Sequence, residues 1–515
     1  MTDQTATAGG RARPTPAAAA PARPHFSERY KLLVLVLLVT AYTFNFIDRT
    51  IIATIGQKIK EDLRITDTQL GLLGGLFFAL LYTFLGIPLA RLAERVSRVN
   101  IIALAIVVWS GFTALCGTAA NFATLAAYRF GVGVGEAGLS PSAHSLISDY
   151  YEPKRRASAL AVYSFGIPLG SMLGAIVGGQ IVEHFSWRAA FMVVGLPGLA
   201  MAAALKLLVK EPPRGHSEPE RPAALPAGVT AEAHGAPMSL RRELAELGAV
   251  VGTLFGKWPV FNMVMGVTLV SMAGYGGGQF SPPYFLRAFH LSYGTVGLVT
   301  GLVAGIGAGA GTLIGGFLTD RLAKRHARWY ALVPAIGIAL SYPFNWAIYT
   351  SPSWTVVVAL LVLPGLFSYT YLGPTFGVIQ NMVSTRRRAT ATAILFFFLN
   401  LIGLGGGPPL TGWMIDHLAA FHFARPDLPG LWQGLSGFFA GDVKAFQAAC
   451  PGGVAPSAAG AAAAQACHGA LVLGTRQGIL IAYAIGLWGA LHYLLAAPGL
   501  KAAMARARAE RGEAD

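Results

Sequence analysis

The chain has 515 residues, 54% hydrophobic and 12% charged, about half the charged share of an ordinary soluble domain. A formal charge of +15 would suggest nucleic acid in a soluble protein, but a mean hydropathy of +0.54 along the chain leaves instead a protein that crosses a membrane many times. Three cysteines without a CxxC exclude a disulfide scaffold or a zinc cluster, and neither metal nor cofactor is expected.

Residues 1–30 are rich in Ala and Pro without an apolar run, so they read as a disordered tail and not as a secretory signal. Apolar runs long enough to span a bilayer follow near 31–55, 69–90, 100–120, 123–148, 157–182 and 189–209. The stretch 210–257, polar and proline-rich before the amphipathic MSLRRELAEL, reads as a linker. Six further runs lie near 258–285, 295–319, 330–350, 354–383, 390–416 and 477–499, so the predicted bundles are 31–209 and 258–499, with 500–515 a short tail.

An even number of spans puts both termini on one side. Basic residues gather in the short loops of that side: Arg91, Arg95 and Arg98; Lys154, Arg155 and Arg156; Arg321, Lys324, Arg325 and Arg328; Arg386, Arg387 and Arg388. Lys and Arg are retained in the cytoplasm during insertion. Both termini are therefore expected there, most simply in a bacterial inner membrane. The net charge becomes a topology signal, and no nucleic-acid partner is expected. The polar segment 418–475 then lies outside with Cys450 and Cys467, for which a disulfide and two unpaired thiols stand as equal alternatives.

The halves repeat each other. A shift of 226 residues sets TDTQLGLLGG (66–75) on SYGTVGLVTG (292–301) and Glu94-Arg95 on Asp320-Arg321. A shift of about 232 sets RRASALAV (155–162) on RRATATAI (387–394), and one residue more pairs Glu183 with Asp416. Corresponding spans run in the same direction, so the predicted fold is an all-α polytopic membrane protein: twelve helices in two six-helix halves about a parallel pseudo-twofold, with a cavity between them.

In span 1, Asn45-Phe46-Ile47-Asp48-Arg49 puts an acid and a base at membrane depth, and span 4 does the same with Arg129 and Glu136, seven residues apart on one helix face. By helical rise Asp48 and Arg129 lie at compatible depths, so Asp48 is the candidate proton carrier, Arg129 its partner, and Glu136 a second titratable or substrate-facing group. Gly133 to Gly138 satisfies GxGxxG, but inside a span and not between strand and helix, which excludes dinucleotide binding. The duplicated loops, with Glu94, Arg95, Arg98, Asp320, Arg321 and Lys324, form a candidate cytoplasmic gate. Asn45, Tyr275, Gln279, Tyr369, Tyr371 and Asn400 are candidate cavity residues, polar tips on apolar walls.

These loops, RxxxGxGEA from Arg129 to Ala137, the Gly/Pro pattern from Gly166 and Trp187-Arg188-Ala-Ala-Phe191 together resemble the major facilitator superfamily over about 31–500, outside the 418–475 insertion. NFIDR (45–49) with RFGVGVGEAGLSP (129–141) is similar to the spinster-like branch. That resemblance implies movement of lysophospholipids or sphingosine phosphate, proton coupling, and roles for Asp48, Arg49, Arg129 and Glu136. The first-half loop has Ala90, Glu94 and Ser97 where the superfamily favours Gly, Asp and Gly. The expected function is a proton-coupled secondary transporter of amphiphilic or lipid-like substrates, acting as a monomer among membrane lipids. The alternatives are a proton symporter of small organic anions and, from another class, a membrane-embedded lipid enzyme or a receptor. HExxH, GxSxG and GxxxxGK[ST] are all absent, which counts against the enzyme and against ATP-driven pumping.

Overall fold

The computed structural model describes residues 26–217, 240–383 and 387–510. The expected N-terminal tail and most of the linker lie outside the described residues. In the first half α1 is Glu28–Leu63, α2 runs as Asp67–Gly74 and Leu76–Arg95, and α3 is Arg98–Cys116. Then α4 runs as Phe122–Glu136 and Leu139–Tyr150, α5 as Pro153–Ser164 and Gly166–His184, and α6 is Trp187–Leu208. A linker helix, Leu240–Gly256, precedes the second half. There α7 is Trp258–Phe289, α8 Tyr293–Ala323 and α9 Trp329–Thr350; α10 runs as Trp354–Leu360, Val362–Ser368 and Leu372–Asn381; α11 as Arg388–Phe398 and Gly405–Ala424 with a π turn between; and α12 is Gly460–Ala496.

Eleven helices among the described residues are long and apolar enough to cross a membrane. The twelfth span, α4, falls short because a turn at Ala137 and Gly138 splits it into pieces of 15 and 12 residues, the first carrying Arg129 and Glu136. The tight connections stop and restart helices with side-chain caps. Thr66 with Gln69 and Asn121 with Thr124 form capping boxes opening α2 and α4, while Ser97, Ser186 and Ser292 cap α3, α6 and α8. Such a cap is worth about 1 kcal/mol.

Two expected boundaries are corrected. The polar segment 418–475 shrinks at both ends, because α11 continues to Ala424 and α12 begins at Gly460; the run GAAAAQA at its start favours helix strongly enough to extend it beyond the apolar stretch. The tail 500–515 is instead a helix over Leu500–Glu510, whose Leu500 and Ala507 are buried in the second-half core.

Cys450 and Cys467 are bonded, Cα to Cα 5.7 Å, closing a loop of sequence separation 17. The turn that follows Cys450 rests on the end of α1. Gly452 sits at φ 68°, and a β-carbon there would stand 2.9 Å from the Lys60 carbonyl, so both the left-handed backbone and the space require glycine. The remaining cysteine, Cys116, is buried. A thiol reagent that cannot cross the membrane is therefore expected to label the protein only after reduction, and reduction to lower stability by about 3 kcal/mol. Labelling of both cysteines without reductant would reject the bond.

The two halves meet closely at the face that carries this loop, called here the disulfide face. Gly71 of α2 presses on the Pro408 carbonyl of α11, and Gly297 of α8 on the Ala175 carbonyl of α5; in each case backbone occupies the place of a β-carbon, so any other residue would push the halves apart. Toward the opposite face, which holds the described ends of the chain, Phe84 of α2 meets Phe397 of α11 edge to face with ring centroids 5.8 Å apart.

Candidate functional site

Span α1 delivers Asp48 and Arg49 to two different partners because consecutive helical residues point about 100° apart. Asp48 accepts a hydrogen bond from Thr113 of α3 and pairs with Arg129 of α4 at 3.3 Å. Arg129 also donates to the Leu73 carbonyl at 3.3 Å. Arg49 pairs with Glu136 at 2.6 Å, and its guanidinium stands over the rings of Phe46, Phe78 and Tyr82 at 5.0, 4.8 and 4.3 Å. Asp48, Arg129 and Glu136 are each 1% exposed. Charges this deep persist only when paired and hydrogen-bonded. Sequence depth brought Asp48 and Arg129 together; the Arg49–Glu136 pair had no signal in spacing alone.

This wall keeps unused hydrogen-bonding capacity. Both amide atoms of Asn45, Glu136 Oε1 and the hydroxyl of Ser142 are buried without a partner among the described residues. Such atoms are costly in an apolar interior.

The second half answers with rings. Tyr275 and Tyr369 are 42% and 39% exposed, and Tyr275 lies within electrostatic reach of Arg49 and Tyr82. The other expected cavity residues are placed differently. Tyr371 is buried in the second-half core. Gln279 is buried where α7 meets Gly74 of α2. Asn400, in the π turn of α11, donates to the Phe396 carbonyl of its own helix at 2.8 Å.

At the disulfide face lies a second ionic cluster, which sequence reasoning missed. Arg287 of α7 donates to Asp67 of α2 at 2.8 Å, to Gln57 of α1 at 2.8 Å and to Thr475 of α12 at 2.5 Å. Lys60 pairs with the other Asp67 oxygen. Asp416 of α11 accepts from the amides of Asp67 and Thr68 at 3.0 and 2.8 Å and from the Thr68 hydroxyl at 2.6 Å. An acid at the end of one half thus caps the first turn of a helix in the other. The pseudo-twofold repeats the device, since Glu183 of α5 accepts from the Gly294 amide of α8 at 2.5 Å. The internal repeat had aligned Glu183 with Asp416 and Thr68 with Gly294, which was the available signal.

The profile of the Major Facilitator Superfamily matches residues 38–407 and 281–441. The chain belongs to this superfamily. It is 32% identical over 389 residues to an MFS-type efflux pump of Mycolicibacterium smegmatis, covering 74% of this chain and 84% of that one. It is 26% identical over 398 residues to the hexuronate transporter of Bacillus subtilis, covering 76% and 89%. Among solved structures it is similar to a bacterial homolog of the human lysosomal transporter Spinster in an inward-facing and unoccupied conformation, with 31% identity, a TM-score of 0.79, and coverage of 93% of this chain and 99% of that one. The protein is thus a spinster-like member of the superfamily, a transporter and not an enzyme.

The second of the duplicated loops carries its charges on the surface of the face away from the disulfide. Asp320, Arg321 and Lys324 are exposed and, with Phe317, line a space of about 420 Å³. Arg95 is exposed as well, and the side chain of Glu94 lies outside what the structure describes. Among the described residues no ion pair runs from Arg95, Asp320, Arg321 or Lys324 to the opposite half. If these loops close that face in one state, Asp320→Asn is expected to shift the population toward a state open there, read as greater labelling of cysteines placed in the interior near that face. Unchanged labelling at normal expression would count against a gate.

Arg98 is corrected outright. It is fully buried inside the first half, pairing with Asp149 of α4 and with Glu211 at 2.6 Å, and donating to the Pro212 carbonyl at 3.0 Å. Burial opposes the charge on Glu211, but the Val99 amide and the Arg98 guanidinium outweigh it and hold its carboxyl below the usual range. Arg98 therefore fastens the start of the linker to α3 and does not face the other half.

Proposed function

We propose that the chain is a proton-coupled secondary transporter working by alternating access on amphiphilic molecules with an anionic head, such as lysophospholipids or sphingoid phosphates. It acts in a bacterial inner membrane with both termini in the cytoplasm. The observation that carries this reading is the division of the interior: Asp48, Arg49, Arg129 and Glu136 pair within the first half, and the partly exposed ring of Tyr275 in the second half lies within electrostatic reach of Arg49, with Tyr369 near Tyr275. An anionic head suits the arginines and an apolar tail suits rings.

The ionic wall also supplies the coupling. With both acids ionised the four charges cancel. A proton on Asp48 frees Arg129 and leaves the wall one charge positive, which an anionic head neutralises. Because an uncompensated charge at this depth is costly, the loaded and empty walls are both neutral and the half-loaded ones are not, so proton and anion occupy the wall together.

The orientation rests on the basic loops at the face opposite the disulfide. With that face cytoplasmic, the tight contact at the disulfide face makes this an inward-open state, the state named for the similar spinster homolog. The second reading, symport of small organic anions, is favoured by the two buried arginines and by similarity to a hexuronate transporter.

A thermal-stabilisation screen with lysolipids, sphingoid phosphates and small carboxylates, followed by flux measurements in liposomes under an imposed proton gradient, tests both readings. Stabilisation by sugar acids alone would replace the first by the second. Binding without gradient-dependent flux would remove proton coupling.

A further inference from the structure

Residues 428–441, LPGLWQGLSGFFAG, are fourteen successive residues without a charge, bounded by Asp427 and Asp442. They lie in a segment that leaves the end of α11 and returns to α12, where a soluble loop would be polar. The large side chains point outward: Trp432 is 77% exposed and Phe439 82%. The small ones face in, since Gly434 abuts Leu418, Gly437 the Phe421 ring and Gly441 the backbone at Phe421. The segment is therefore wrapped on α11 by its glycines, while the side chains of Trp432 and Phe439 are left largely uncovered by the chain.

Their level in the fold identifies what covers them. Gly412 of α11 presses on the Asp67 carbonyl at the start of α2, so the neighbouring Trp413 stands level with the point where α2 enters the membrane. Phe438 packs on Trp413 and on His417, with ring centroids 5.0 and 5.2 Å apart, and Phe439 lies 6.3 Å from Trp413. Trp413 is itself 36% exposed. The aromatic patch is thus continuous with the lipid-facing side of α11 and meets it at the depth where Trp and other aromatic side chains concentrate in membrane proteins. An uncharged, aromatic, amphipathic segment at this level suits the headgroup boundary and not open water.

We propose that residues 428–441 form an interfacial anchor, with Trp432 and Phe439 embedded in the headgroup layer of the leaflet at the disulfide face. The occupant is the bilayer itself. The anchor holds the segment against α11, whose Asp416 caps α2, so it sits beside the contact that joins the halves at that face.

The full chain carrying Trp432→Cys is labelled with a nitrobenzoxadiazole probe and placed in nanodiscs of phosphatidylethanolamine and phosphatidylglycerol. Ser457→Cys, at an exposed residue farther along the same segment, is the reference. Phospholipid bearing a nitroxide near the carbonyl end of its acyl chain is expected to quench the probe at 432 several-fold more than at 457, and aqueous iodide to show the reverse order. Equal iodide quenching at both sites without an effect of the nitroxide lipid would overturn the anchor. Shielding at 432 that persists in detergent and grows with protein concentration would also overturn it, assigning the patch to a second copy. Should the first variant fail to fold, Phe439→Cys reads the same layer.

Discussion

Replacing Asp48 with Asn is expected to abolish proton-driven accumulation while leaving substrate binding. The amide keeps nearly the volume of the carboxyl and can still accept from Thr113, but it takes up no proton and carries no charge. Arg129, paired with Asp48 at 3.3 Å and 1% exposed, then keeps its charge with no acid beside it. Leaving one partner of a buried pair alone costs about 3–5 kcal/mol, and an anionic substrate that meets this charge is bound at least as well as before. In liposomes under an imposed proton gradient the variant is expected to bring substrate only to equal concentrations on the two sides, while exchange of labelled for unlabelled substrate continues. If it still concentrates substrate with an unaltered response to pH, Asp48 is a structural residue, and Glu136, held by Arg49 at 2.6 Å, takes over as the candidate.

The second large effect is expected at the disulfide face. Arg287 reaches from α7 to Asp67 and Gln57 in the opposite half, and Arg287→Met removes both links while retaining the apolar stem. Loss of a buried charged partner is worth about 3–5 kcal/mol, against the roughly 5.5 kcal/mol that carries a two-state population from one extreme to the other. The variant is thus expected to expose its interior at that face for a large fraction of the time. A cysteine in place of Tyr275, whose ring is exposed in the interior, reports this: reachable from the opposite face in the parent, it becomes reachable by an impermeant reagent from the disulfide face in the variant. A folded variant with the parent's labelling pattern would show that Arg287 does not hold the halves together.

Much of this was legible in the chain. Apolar runs of bilayer length located the spans, and the repeat offset predicted that Gly71 and Gly297 occupy equivalent places, which they do, each against the backbone of the other half. The depth of Asp48 and Arg129 followed from helical rise alone. The cluster of Lys60, Asp67, Arg287 and Asp416 was not legible, because each sits at the end of an apolar run, where charges ordinarily mark solvent, and the partners of Asp67 and Thr68 in the opposite half lie 220 to 349 residues away. Arg98 misled for the converse reason: it belongs to a basic loop by sequence, yet Asp149, two spans of chain away, draws it into the interior. Helical extensions such as the first turns of α12 escaped notice because they continue past the apolar stretch that defined the span.

The two cross-half caps differ in their surroundings, and the difference sets how the disulfide face parts. Glu183 is exposed, so when it lets go of the Gly294 amide, water takes its place at little cost. Asp416 is 2% exposed and its partner Asp67 is tied to Lys60 and Arg287, so releasing it demands hydrating a buried ionic group. If that face opens during the alternating access proposed above, the seam between α5 and α8 is expected to separate before the seam between α2 and α11, in a swing about the latter as a hinge and not an even parting of two equal lips. Such a swing would open first along one flank of the molecule, and that flank borders the hydrocarbon of the bilayer, so the apolar tail of an amphiphilic substrate of the kind proposed above would pass sideways into lipid before its head reached water.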